Sequence, residues 1–310
     1  MASESTSPPT IAPALSILVS GASGLVGQAL CEKLQSRGHR VRRLSRSERG
    51  DVQWDVAAGQ LDTAALVGVD VVVHLAGESV VQRWSSAAKE RILRSRGASA
   101  HLLVDAILEQ AQRPAFISAS GISYYGADLE DWVDESSPMG DGFLAEVVRE
   151  WEAAASALTD AGVRTAFLRT GIVLSRQGGA LAKMLPAFKC GVGGRIGDGQ
   201  QRMSWISLPD LVDVYVFAVE NRSVRGVINA VAPESVTNSE FTKKLGKVLG
   251  RPTILPVPAV VVKMLFGQMG EETVLSNLRV RPQRLTELGF EWQQPKLEHA
   301  LRAAFDAAQS

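Results

Sequence analysis

Three glycines recur at three-residue spacing in the run Gly21-Ala22-Ser23-Gly24-Leu25-Val26-Gly27. A residue without Cβ at Gly21 permits a tight turn. At Gly24 it lets backbone N–H groups approach a pyrophosphate, and at Gly27 it lets the next helix pack close with its positive end aimed at the phosphates. The pattern carries that meaning only between a strand and a helix. Ser16-Ile17-Leu18-Val19-Ser20 supplies the short apolar strand, and Ala29, Leu30 and Leu34 follow at helical spacing up to a stop at Gly38. A second strand, Arg40-Val41-Arg42-Arg43-Leu44, completes a βαβ unit. The chain is therefore expected to bind a dinucleotide through Gly21, Ala22, Ser23, Gly24, Leu25, Val26 and Gly27.

The end of the second strand indicates which dinucleotide. An NAD site carries an acid there, about 20 residues past the first glycine, to hold the ribose 2′-hydroxyl. Here the stretch reads Leu44-Ser45-Arg46-Ser47, with no acid before Glu48. Ser45 can donate a hydrogen bond, and Arg46 can pair with a 2′-phosphate and lie against the adenine. Arg42 and Arg43 either add to the positive field or form a solvated face. The expected cofactor is NADP(H).

These residues need a scaffold, and the chain alternates strand and helix to provide one. Strand-like runs at Ile17–Ser20, Val41–Leu44, Val52–Trp54, Val69–Leu75, Ala115–Ala119 and Arg164–Thr170 are separated by helical patterns, notably 85–112 and 143–161. Alternation of this kind predicts an α/β fold, a Rossmann-like doubly wound parallel sheet with helices on both faces. After Gly171 the pattern becomes Gly-rich around a short helical stretch, Ala180–Lys189. It returns to the core at Leu208–Glu220 and Gly226–Val231, and is then broken by Pro252, Pro256, Pro258 and Pro282. The expected organisation is a tail at 1–14, a dinucleotide-binding domain at 15–175 resuming at about 205–232, and a smaller C-terminal substrate lobe from 176–204 and 233–310. The lobe would close over the carboxyl ends of the strands.

Lys plus Arg and Asp plus Glu both number 33, a balance that argues against a nucleic-acid footprint or a membrane-surface patch. No apolar stretch reaches the roughly 18 residues of a membrane span. Cys31 and Cys190 lack the spacing of a zinc site or disulfide scaffold, and residues 1–14 lack the basic residues of a targeting signal. A cytoplasmic protein with a small-molecule substrate and no metal is the expectation, as monomer or homodimer.

The residues quoted so far, together with several later motifs, resemble an extended, atypical short-chain dehydrogenase/reductase. More narrowly they resemble the epimerase-family branch of NAD-dependent epimerase/dehydratase-like proteins, whose members also carry nucleoside-diphosphate-sugar-epimerase and cell-division-inhibitor labels. The likeness runs over about 16–307. It rests on Gly21–Gly27, Leu75-Ala76-Gly77-Glu78, Ser118-Ala119-Ser120-Gly121-Ile122-Ser123-Tyr124-Tyr125-Gly126, Trp151-Glu152, Arg169-Thr170-Gly171 and Ser204-Trp205-Ile206. It continues through Asn229–Pro233, Pro282–Leu285 and Gly289-Phe290. The resemblance implies that Leu75, Ala76, Gly77 and Glu78 line the cofactor. It also implies a Ser, Tyr and Lys set, with Tyr and Lys four residues apart on the helix after the fifth strand. That helix reads Phe143-Leu144-Ala145-Glu146-Val147-Val148-Arg149-Glu150-Trp151-Glu152, with no Tyr and with valine where Lys belongs. Relatives also often carry His in a Trp-Ile-His-x-x-Asp-Leu pattern where this chain has Ser207.

The catalytic candidates that remain are Ser120 at the end of the fifth strand, Tyr124 as a general acid, and Glu78 as a base or as a contact for the nicotinamide. Tyr125-Gly126 also reads as a packing turn, and Glu78 also reads as a solvated loop carboxylate. Substrate contacts are expected from Arg169 at a strand's carboxyl end, from Arg195 and Arg202 flanking a glycine-hinged loop, and from Trp205. Arg94 and Arg96 can meet an anionic substrate, bracket the cofactor phosphates or form an exposed helix face, and His74 reads as a satisfied core residue. Two functions stay open. One is an NADP(H)-binding oxidoreductase or epimerase-like enzyme on a small polar, nucleotide-linked type of substrate. The other is a weakly active or inactive NADP(H)-binding module that signals to a protein partner.

Overall fold

The computed structural model describes residues 13–48 and 50–306; residues 1–12 of the expected tail lie outside them. In chain order, β1 (Ser16–Ser20) leads into α1 (Leu25–Ser36), β2 (Arg40–Ser45), β3 (Val52–Asp55), β4 (Gln60–Leu61) and β5 (Val71–His74). Next come α2 (Ser86–Leu108), β6 (Ala115–Gly121), β7 (Asp128–Val133), α3 (Phe143–Ala153), α4 (Ser156–Asp160) and β8 (Thr165–Thr170). The remainder holds β9 (Ile172–Leu174), α5 (Gly179–Lys189), β10 (Arg202–Met203), β11 (Trp205–Ser207), α6 (Leu208–Glu220) and β12 (Gly226–Ala230). It ends with β13 (Val236–Thr237), α7 (Asn238–Leu249), α8 (Ala259–Phe266), β14 (Asn277–Val280), α9 (Gln283–Glu287) and α10 (Leu297–Asp306).

Eight strands form one sheet in the order β12-β8-β6-β5-β1-β2-β3-β4, parallel throughout except for the β3–β4 edge pair. The chain winds outward from β1 through β2 and β3, then crosses back to β5 and winds the other way. The β1/β5 boundary is thus the point where strand order reverses, and ligands of open α/β sheets bind beyond the carboxyl ends there. Strand periodicity explains the two-layer core. Ile17 and Val19 pack under α1 and α6, while Leu18 between them joins Leu103, Ile107 and Leu158 from α2 and α4 on the opposite face. A third apolar cluster gathers Leu181, Leu185, Trp205, Phe241, Leu245 and Leu301 from α5, β11, α7 and α10.

Two expected helices are shorter than their patterns. The 85–112 stretch ends at Leu108, six residues before Pro114. The 143–161 stretch divides into α3 and α4 because the Ala155 N–H bonds back three residues to Glu152 and tightens the turn. No helix among the described residues is long and apolar enough to cross a membrane.

At the β1/β5 boundary the two backbones nearly touch. Gly21 has φ +70°, and a Cβ there would lie 2.7 Å from the Leu75 carbonyl carbon and 2.8 Å from the Ala76 nitrogen. Gly38, at φ +85°, has nothing within 4 Å of its would-be Cβ. Alanine at either site incurs the left-handed backbone cost of about 1–2 kcal/mol, but only Gly21→Ala must also push two strand ends apart. Urea unfolding should show Gly38→Ala losing about 1 kcal/mol and Gly21→Ala about 3–4 kcal/mol. Equal losses would mean that the close approach does not constrain the fold.

Candidate functional site

The glycine turn opens directly onto a helix end. Gly24 is the N-cap of α1 and offers no side-chain acceptor, so the first N–H groups of the helix remain available to a ligand. The Gly24 N–H closes the turn on the Gly21 carbonyl at 3.0 Å. A Cβ on Gly27 would stand 2.3 Å from that same oxygen, so the first helical turn sits on the loop with no space between. Ser23 and Gly24 are exposed, Leu25 and Val26 half-buried, Ala22 buried. Leu25 meets the C-terminal part of the chain, because a Cβ on Gly178 would be 3.3 Å from its Cδ2.

At the end of β2, Ser45 Oγ accepts from the Ser47 N–H at 3.2 Å, and Arg46 is exposed with no carboxylate partner among the described residues. Arg43 differs from the expectation of a shared positive field. Its guanidinium pairs with Asp51 at 3.1 Å, and Asp51 also accepts the Arg43 backbone N–H at 2.8 Å. The hydrogen bonds from Arg43 hold the Asp51 carboxyl below its usual range. Arg42 reaches the Val67 carbonyl at 3.5 Å. Of these three arginines, Arg46 is the one left with a free head among the described residues.

Across the boundary, the loop after β5 carries Leu75 and Ala76, half-buried, and Gly77, exposed. The Glu78 N–H bonds to Ser95 Oγ at 3.0 Å, while its carboxylate meets Gln82 at 3.4 Å and Arg91 at 3.9 Å. His74 beneath them is fully buried between Ser20 Oγ (2.7 Å) and Ser99 Oγ (3.2 Å). Burial pushes its pKa down to about 3, so the ring is neutral near pH 7.

Further along the sheet edge, one buried network joins three elements. Ser120 Oγ on β6 donates to Glu152 Oε1 at 2.6 Å, and Glu152 on α3 takes both arms of the Arg169 guanidinium on β8 at 2.8 and 2.7 Å. The Arg169 Cζ lies 3.3 Å over the Tyr124 ring and 5.0 Å from that of Tyr125. Desolvation lowers the Arg169 pKa, but the Glu152 carboxylate outweighs it and holds the guanidinium more firmly protonated than usual. Tyr125 is buried, donates to Asn229 Oδ1 at 2.8 Å, and has its phenol pushed up to about 12 by burial. Tyr124 is half-buried. On α3, Val147 and Val148, either of which stands where the resemblance places Lys, are both buried, and the helix carries no tyrosine.

The structure thus brings together Ser120, Tyr124 and Arg169, and separately the glycine turn with Leu75–Glu78. Arg195 is exposed in a loop strapped to Val257 and donates to the Asp198 carbonyl at 3.1 Å. Arg202 is half-buried with its backbone N–H on Asn277 Oδ1, and Trp205 is fully buried in the third apolar cluster. No hydrogen bond among the described residues ties these three side chains to the Ser120 network. Ser207 caps α6 by accepting the Asp210 N–H at 3.1 Å, and it donates to Asp210 Oδ2 at 2.8 Å. Asp210 in turn accepts the Gln293 N–H at 2.7 Å. Sequence reasoning gave Glu152 no role of its own. Its signal was a carboxylate four residues after Val148 and eight after Leu144, on the inward face of α3. Glu272 was also missed; its two oxygens take the Phe143 and Leu144 N–H groups at 3.1 and 2.9 Å and so cap α3 from afar.

Arg169 and Glu152 are each nearly removed from water, with side-chain exposures of 4% and 13%. Removing one partner strands a buried charge, at about 3–5 kcal/mol. Glu152→Ala should therefore lower stability by that amount in urea unfolding, whereas Glu152→Leu combined with Arg169→Leu should recover most of it. A double variant as unstable as Glu152→Ala would show that the packing at this site, not the stranded charge, sets the cost.

The geometry has counterparts among known proteins. The model of the NAD dependent epimerase/dehydratase family matches residues 17–230, and a domain of unknown function, DUF1731, matches residues 257–304. Human epimerase family protein SDR39U1 is 38% identical over 292 residues, covering 92% of this chain and 98% of its own. Epimerase family protein YfhF of Bacillus subtilis is 33% identical over 296 residues, covering 93% and 97%. The crystal structure of human SDR39U1 (isoform 2) with NADPH aligns at a TM-score of 0.85 and 36% identity, over 94% of this chain and 99% of that one. That of the nucleoside-diphosphate sugar epimerase from Corynebacterium glutamicum aligns at 0.78 and 35% identity, over 96% of this chain and 60% of that longer one. By a glycine turn at the strand-order reversal, a matching family model over most of the chain and relatives along nearly its whole length, this chain belongs to the NAD dependent epimerase/dehydratase family.

Proposed function

We propose that the chain binds NADP(H) and acts as an oxidoreductase or epimerase-like enzyme on a small polar substrate. The observation that carries the cofactor choice is the end of β2, where an exposed Arg46 without a carboxylate partner among the described residues and the Ser45 hydroxyl stand in place of a ribose-binding acid. The residues fit the group. Gly21, Gly24 and Gly27 leave a cradle that a Cβ would fill or distort, and α1 presents uncapped N–H groups to a diphosphate. Leu75, Ala76 and Gly77 form the opposite wall. The relative solved with NADPH supports the same reading.

A bound nicotinamide supplies or accepts hydride. The protein's own residues orient the substrate. Ser120 sits at the carboxyl end of β6 with its hydroxyl proton committed to Glu152, leaving oxygen lone pairs to accept from a substrate hydroxyl. Tyr124, stacked under the Arg169 guanidinium, is the proton donor in this scheme, and Glu78 borders the nicotinamide end from a partly exposed loop. Residues 176–204 and 233–310 act as the substrate lobe, with Arg195 and Arg202 offering positive charge to an anionic substrate. The second reading, an NADP(H)-binding module that regulates a partner, is favoured by one specific observation: α3 carries neither tyrosine nor lysine, and Val147 and Val148 are both buried on it.

Titration with NADPH, NADP+, NADH and NAD+ by nicotinamide fluorescence or calorimetry tests the cofactor. NADPH should bind about 10–100-fold tighter than NADH, the worth of a charge-assisted arginine–phosphate contact. Arg46→Asp should erase that preference. Binding of none of the four would refute both readings. Once a turnover assay exists, Ser120→Ala should lower kcat by at least about tenfold with NADPH affinity unchanged; no change in kcat would favour the regulatory module.

A further inference from the structure

Arg96 on α2 has a place in the cleft that the roles above do not use. Its Cζ lies 4.9 Å over the Trp151 ring of α3. On its other side is Gly77, where a Cβ would stand 3.1 Å from that same Cζ. Gly77 is two residues past Leu75, whose carbonyl packs on Gly21. The guanidinium therefore lies between the glycine-turn boundary and the helix that carries Glu152.

Its pairing is unlike that of its neighbours. Arg91 and Arg94 on the same helix face Glu78 at 3.9 Å and Glu90 at 3.6 Å, both as exposed side chains. Arg96 has no carboxylate within ion-pair distance among the described residues. One of its N–H groups donates to the Ile92 carbonyl at 3.2 Å, and a guanidinium has five. Burial lowers its pKa to about 10, which still leaves it charged at pH 7. Arg96 is half-buried and feels the Glu78 carboxylate only from beyond ion-pair distance, and a bound anion offsets the remaining cost of its desolvation. α3 offers no cation of its own here: its arginine, Arg149, is exposed and paired with Glu150 at 2.8 Å.

We infer that Arg96 is a cofactor-binding residue whose guanidinium donates to the diphosphate oxygens of the dinucleotide across Gly77, with Trp151 as its backing. The inference rests on the NADP(H) reading. Gly77 then has a defined purpose, since a side chain there would fill the space between cation and ligand. Arg96 complements the α1 N-terminus, the two holding the diphosphate from opposite walls of the strand-order reversal.

The test compares three ligands on the full chain. NADPH and 2′-phospho-ADP-ribose contain the diphosphate, and adenosine 2′-monophosphate carries no 5′-phosphate at all. Arg96→Leu should weaken the first two about 10–100-fold and leave adenosine 2′-monophosphate unchanged, with Arg96→Lys falling between. In the absence of ligand, Arg96→Leu should melt at the same temperature as the parent or higher, because it removes a partly desolvated charge. The upward shift in melting temperature on adding NADPH should shrink in that variant. Unaltered NADPH affinity in a folded Arg96→Leu protein would overturn this inference alone, and so would an equal loss for adenosine 2′-monophosphate. Failure of the parent chain to bind NADPH would overturn the cofactor reading and this inference together.

Discussion

The contact between the Gly21 turn and the Leu75–Ala76 backbone is the constraint on which the rest of the site depends. At 2.7–2.8 Å from a would-be Cβ, it leaves no room for any side chain. It fixes how far apart the two halves of the sheet begin, because β1 and β5 are the neighbours from which the chain winds in opposite directions. The crevice beyond them is thus set by backbone packing, the stiffest material available. Gly27 repeats the device one helical turn later, lying against the Gly21 carbonyl and locking the axis of α1 onto the loop. Backbone contacts hold a positive helix end, a tight turn and an opposing loop in register, and Ser20 Oγ adds to them by accepting the Leu75 N–H at 3.3 Å.

The second half of the site is held by charge. Glu152 receives Ser120 and both arms of Arg169, so β6, α3 and β8 meet on one carboxylate. A buried pair of this kind is weak evidence of net stability but strong evidence of a fixed geometry, since each partner is costly to expose alone. Arg169 in turn serves as the floor for Tyr124. The N-terminus of α3 is fixed from outside the sheet by Glu272 in the C-terminal part of the chain, and Gln268 joins Glu272 to Lys89 on α2. Movement of that segment would therefore be felt at the helix that carries Glu152.

What the sequence disclosed follows from the range of the interactions involved. The glycine turn, the β1 alternation of Ile17, Leu18 and Val19, and the missing acid after Leu44 are local patterns, legible from neighbours within a few residues. Arg43 could be seen as basic, but its neutralisation by Asp51 required β2 and β3 to be placed side by side. Trp205 reads as a stacking platform or, as large aromatics more often are, a core residue, and the third cluster closing over it makes it core. The break between α3 and α4 was invisible because a run of alanines and serines fits either a continuous helix or a tightened turn. Arg94 and Arg96 read alike as contacts for an anion or the cofactor phosphates or as an exposed helix face, and only the fold separates Arg96 from Arg94.

The inward face of α3 bears on how any chemistry here could proceed. With no tyrosine or lysine on α3 and both Val147 and Val148 buried, the helix contributes apolar surface and a carboxylate committed to Arg169. Loss of a positioned proton-transfer group costs about 10²–10⁴-fold in rate. Holding reactants in a near-attack geometry is worth an effective molarity of roughly 10⁵–10⁸ M, so the advantage of positioning outlasts the loss of the proton carrier. In the proposed reaction a hydride acceptor beside Ser120 reacts at a rate governed by how rigidly the cofactor and substrate are held. The distribution of order in this molecule is consistent with that division of labour: its firmest contacts, Gly21 on Leu75 and Glu152 on Arg169, are devoted to position, and the groups left over for proton transfer are few.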